Sequence, residues 1–141
     1  MNNNLLRPFI GKWNTHGVIE KTPFGPAGVL RGQDKYEWFD RKEFVIHTVN
    51  VKMGRRKVIN CEIICFDDRK RTFSMFAFDK GKTAGVQYGR LQGRKWLVDG
   101  VSIRFRGEFN PKRSKLVGEW QYLAKSSWKR WMSLELTRIE E

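Results

Sequence analysis

The chain has 141 residues, two cysteines, 6 Trp and 10 Phe, and 28 Lys and Arg against 15 Asp and Glu, for a net charge of +13. That length is expected to form one domain with a core that needs no disulfide or metal. The charge favours solubility and attraction to anions without specifying nucleic acid, and no run approaches the roughly 18 apolar residues of a membrane span.

The first residues, MNNNLLRPF, lack a basic segment leading into a long apolar stretch and do not read as a signal peptide, so a cytoplasmic location is expected. A short helix is expected from Asn3 to Phe9, followed by strand-length runs of period two. The first run covers 11–21. A loop, TPFGPAG, fills 22–28. Further runs cover 28–39, 43–53, 58–67, 72–79, 83–91, 94–98, 101–109, 115–124 and 129–138. Their connectors (DRK, GRR, DDRK, DKGK, QG, DG, NPKRS and AKSSW) read as hairpin turns, with Asp99-Gly100 the sharpest two-residue signal. No helical period of ten or more residues appears. Ten short strands in up-and-down order would leave long edges as a flat sheet, so closure into an antiparallel β-barrel is expected. A barrel of eight to ten strands can hold one small ligand.

Alternation assigns inward faces. On the first strand Gly11, Trp13, Thr15, Gly17 and Ile19 share a face, which turns His16 outward. The inward sets that follow are Leu30, Asp34, Tyr36 and Trp38; then Val45, His47, Val49, Val51 and Met53. Val101, Ile103, Phe105 and Phe109 come next, then Leu116, Gly118, Trp120 and Tyr122, and last Arg130, Met132, Leu134, Leu136 and Arg138. The predicted interior is apolar and aromatic with a few polar groups. That composition suits both a small-molecule pocket and a packed core with satisfied hydrogen bonds. Cys61 and Cys65 lie four apart on one strand, about 13 Å at about 3.3 Å per residue. A bridge needs Cα atoms within about 7 Å, so both are expected to be reduced core residues.

Gly11-x-Trp13 after a short helix, a ten-strand meander and Arg138 near the end of the last strand resemble the lipocalin-like (calycin) barrels. The segments YEWFDRKEFVIHTVNVKMG (36–54), EIICFD (62–67), FDKG (78–81) and LVGEWQ…WKRWMSLELTR (116–138) narrow the resemblance to a bacterial lipocalin-like family known only as a domain of unknown function. The resemblance spans nearly the whole chain and implies a closed barrel but no reaction. It also implies that Trp13 sits at the closed end with Arg138 packed across it, a cation over an indole worth about 0.5–2 kcal/mol.

No serine or cysteine nucleophile has a base beside it in the sequence, no Cys/His cluster has zinc spacing, and no glycine loop cradles phosphate. A carboxylate pair of Asp34 and Glu62 is conceivable but has no further support. His47, among Val45, Val49 and Met53, stands out. It is expected either to be a core histidine bonded to Tyr36 or Asp34, to contact a small ligand, or to ligate haem. The expected pocket lining is Tyr36, Trp38, His47, Met75, Tyr88, Phe105 and Trp120. The expected occupant is a small hydrophobic or amphipathic molecule, with an acidic group as one option because basic turns would rim the mouth. Two other readings remain open: binding of nucleic acid or another anionic polymer on the basic outer surface, and an enzyme using His47 as acid or base. Lysines and arginines fall in turns at both ends, and the aromatics fall mainly on inward phases, which favours the pocket over a nucleic-acid face.

Overall fold

The computed structural model describes residues 2–140. A 3-10 helix (Asn2–Phe9) leads into ten antiparallel strands: β1 (Gly11–Ile19), β2 (Gly28–Phe39), β3 (Phe44–Met53), β4 (Arg56–Asp67), β5 (Thr72–Asp79), β6 (Lys82–Gln92), β7 (Lys95–Asp99), β8 (Ile103–Phe109), β9 (Lys115–Ala124) and β10 (Ser127–Glu140). Each strand pairs with the next, and β1 pairs with β10, so the sheet closes on itself and keeps no free edge. Among the described residues no helix is long and apolar enough to cross a membrane.

The barrel has a closed end and an open end. The helix and the turns 40–43, 68–71, 93–94 and 110–114 lie at one; the turns 20–27, 54–55, 80–81, 100–102 and 125–126 lie at the other. At the closed end the helix drives Leu6 and Phe9 into the barrel, both fully buried. Phe9 meets Trp96 and Phe109 edge-on at 4.7 and 5.0 Å, geometries that aromatic quadrupoles favour. Val45, Ile64 and Phe73 complete this floor. A second apolar cluster of Ile19, Leu30, Val51 and Met132 lies toward the mouth.

The floor is latched by Trp13 and Arg138, which face each other across the β1–β10 seam. Trp13 is buried, and its indole N–H donates to the Phe9 carbonyl at 2.8 Å. The Arg138 guanidinium lies 4.2 Å over the indole ring and donates to the carbonyls of Ile10 and Pro8. One side chain thus joins the first strand, the last strand and the helix. Gly11, at φ 129°, makes the sharp passage from helix to β1 in a conformation that a side chain disfavours.

Three expectations about phase fail for local reasons. The hairpin between β7 and β8 uses three residues, 100–102, and places Val101 in solvent at 94% exposure rather than inside. A β-bulge between Arg130 and Met132 shifts the alternation of β10. Arg130 therefore turns outward to Glu119 and Glu20, and Trp131 packs against the mouth cluster. Cys61 and Cys65 are free and half-buried. They occupy the outer phase of β4, since Glu62 and Ile64 face His47 and Val45 within.

Trp13→Ala is expected to lower unfolding free energy by about 3–5 kcal/mol, as loss of a large core side chain does. Arg138→Met should cost about 1–3 kcal/mol, because it strips charged donors from three carbonyls, those of Pro8, Ile10 and Arg113. Urea denaturation measures both; full stability in either variant would remove the latch role.

Candidate functional site

A cavity of about 340 Å³ lies inside the barrel between the floor and the mouth. It exists because a ten-strand barrel is wider than the eight-strand size that side chains just fill. Its walls are mostly apolar. Met75, Trp96, Phe105 and Trp120 contribute lower down, and Met53, Val58 and Trp131 nearer the mouth. Glycine makes room for one of these rings: a Cβ on Gly118 would stand 2.6 Å from the ring of Phe105.

One side of the cavity is polar. Strand register sets Tyr36, His47 and Glu62 side by side on β2, β3 and β4. Asp34, one inward position along β2, reaches the same imidazole. His47 Nδ1 lies 2.6 Å from Glu62 Oε1, and Nε2 lies 2.6 Å from Asp34 Oδ1. The second Asp34 oxygen accepts the Thr15 hydroxyl. The Tyr36 ring stacks on the imidazole at 3.9 Å with the planes 8° apart. All these side chains line the cavity.

The electrostatics follow from the geometry. Burial pulls the His47 pKa down, but hydrogen bonds and charges from Asp34 and Glu62 together overcome it and raise the value to about 9. His47 is then an imidazolium at neutral pH, with both N–H groups donating to carboxylates. Tyr36 also shifts upward, but here burial acts with the charges: burial first, then the charges of Asp34 and Glu62, hold its phenol protonated well above the usual range. Among the described residues no group of three or more His, Cys, Asp or Glu is arranged to hold a metal ion.

Five of the expected lining residues meet at this cavity: Tyr36, His47, Met75, Phe105 and Trp120. Two do not. Trp38 lies beyond Tyr36 at the closed end, under the ammonium of Lys42, and borders a groove outside the floor. Tyr88 is 40% exposed, with Lys70 over its ring at 5.2 Å. The inward residues of β6 are its neighbours Gln87 and Gly89, which face Met75 and Phe73. Tyr122, expected inside, packs edge-on against Phe24 of the loop at the mouth. The outer surface also holds more aromatics than alternation suggested: Phe24, Phe39, Phe44, Phe76 and Tyr88 are all exposed.

Glu62, Asp79, Trp96 and Trp131 were absent from the expected lining and belong to it. Glu62 carried a readable signal, a carboxylate in phase with inward Ile64. No protein-family model matches the chain, and no curated protein sequence matches it either. Function is therefore read from the cavity.

A raised folded-state pKa means that protonated His47 stabilises the fold fully below about pH 6.5 and ceases to do so as pH rises through about 9. The contribution lost across that window is about 3 kcal/mol. NMR titration of the His47 ring should give a midpoint near 9, with stability declining over the same range. A midpoint at or below 6.5 would show that the ring is not held as a cation.

Proposed function

We propose that the protein is a lipocalin-like binder of a small amphipathic molecule held inside the barrel. The observation that carries this reading is the cavity itself: a closed ten-strand barrel with a void of about 340 Å³ where a packed core would have none. That volume lies at the lower end of the range for small-molecule sites, and apolar walls with a few convergent polar groups are their usual make-up. Tyr36, Met75, Phe105 and Trp120 supply contact surface, and the His47 cluster supplies orientation.

The alternatives that make His47 reactive fit less well. A general base or an iron ligand needs a nitrogen lone pair, and both ring nitrogens of His47 are engaged with carboxylates at 2.6 Å. The outer surface remains basic at both ends, with Arg41 and Lys42, Arg69, Lys70 and Arg71, and Lys112 and Arg113 at the closed end, and Arg55, Lys80 and Lys125 at the open one.

The test uses a neutral naphthalene-based fluorophore titrated into the full chain. It should bind one to one and quench tryptophan fluorescence. Ala77→Phe, which points a ring into the void, should weaken binding at least about tenfold while the thermal transition is retained. Unchanged affinity in that variant would place the probe outside the barrel and defeat the reading. Steeply salt-dependent DNA binding that Ala77→Phe leaves intact would favour the outer surface instead.

A further inference from the structure

The charge inside the barrel is opposite to the charge outside. Lysine and arginine make up 28 of the 141 residues, yet none lines the cavity. Its charged lining is Asp34, Glu62 and Asp79 against the single imidazole of His47. Even with that ring protonated, the interior is net negative. Asp79, the last residue of β5, carries this polarity up to the mouth.

Beside His47, two polar groups are left without partners. Glu62 Oε1 accepts from His47, but among the described residues Oε2 has no hydrogen-bond partner. Tyr36 is only 8% exposed, and its hydroxyl has none either. Neither atom is sealed within protein, so both are open to the cavity, and a donor brought between these walls can bond to them. An anion would find only neutral donors, among them the Tyr36 hydroxyl and the amides of Asn60 and Gln87: both N–H groups of His47 are taken, and no lysine or arginine lines the cavity to receive it.

We infer that the ligand of this barrel is a small apolar amine, its ammonium set against Glu62 and the Tyr36 hydroxyl and its body against the aromatic walls. The inference rests on the reading of the cavity as a ligand site. It replaces the acidic head group that the basic turns suggested, because those turns lie outside the lining. Charge-assisted bonds to a carboxylate are about twice as strong as neutral ones. The faces of Trp120, Trp96 and Trp131 also attract cations. The basic rim opposes entry only weakly, since charges further away than about 8 Å are screened at physiological salt.

Three probes with one body test the inference: 2-(1-naphthyl)ethylamine, the matching naphthylethanol and naphthylacetate. Calorimetry on the full chain at near-neutral pH and physiological salt should rank amine above alcohol by about tenfold or more, with the carboxylate weakest. Glu62→Gln should bring the amine-to-alcohol ratio close to one, and Asp79→Asn should lower it. Glu108→Gln, at an exposed site paired with Arg94, should leave it unchanged. Alcohol and amine binding equally, or the carboxylate binding best, would overturn the inference while leaving the pocket reading in place. Binding of none of the three, nor of the neutral fluorophore, would overturn both.

Discussion

An imidazolium held between two carboxylates inside an apolar barrel constrains everything around it. Burying three charges is costly, and mutual attraction offsets the cost only when the geometry is close and the remaining polar atoms are bonded. His47 meets the first condition on both nitrogens, and Asp34 meets the second through Thr15. Glu62 meets it by half. The arrangement needs four strands, β1 to β4, in one register, because Thr15, Asp34, His47 and Glu62 come from different strands or different levels. A one-residue slip would turn a carboxylate outward and leave the imidazole uncompensated. The cluster thus favours a single register in this half of the sheet while giving the cavity its polar side.

Much of the architecture was legible because the chain alternates so regularly. Ten period-two segments with turn residues between them leave few options other than a meander, and a meander of that width closes. The Trp13–Arg138 pair could be placed because the resemblance to calycin barrels attaches roles to those two positions. The phase of β6 was not legible for a physical reason. KTAGVQYGRLQ puts small or polar residues on both faces, and the inward one at the level of Phe73 is a glycine, since a Cβ at Gly89 would stand 2.4 Å from Trp96. With no apolar contrast, the large ring of Tyr88 attracts the inward assignment by default. The bulge at Arg130 and the three-residue loop around Val101 have no counterpart in composition.

The polar cluster was only half readable. Alternation puts Asp34, His47 and Glu62 on inward faces, but it does not say at what height each stands within the barrel. That depends on the lengths of two hairpins, 40–43 and 54–55, which set β2 and β4 against β3. Segregation of charge was hidden for the same reason. A count over the whole chain gives +13, and nothing in it reveals that no lysine or arginine lines the cavity. Apart from Arg138, which closes the floor over Trp13, the lysines and arginines sit mainly in turns and on outward phases, where long stems can lie on apolar surface with their heads in water.

The seam between β1 and β10 also governs how the molecule comes into being. Trp13 and Arg138 are 125 positions apart, so the contact that seals the floor is among the most distant in sequence that the chain makes. Each hairpin from β2 to β9 can form as soon as its two strands exist, but the ring cannot shut until the last strand arrives. Before then both terminal strands have an unpaired edge and the floor aromatics lack a lid. Contacts of such separation slow folding because a long loop must be ordered before it is rewarded. On a ribosome the ring cannot close, and its interior cannot be separated from solvent, until β10 has emerged to pair with both β9 and β1.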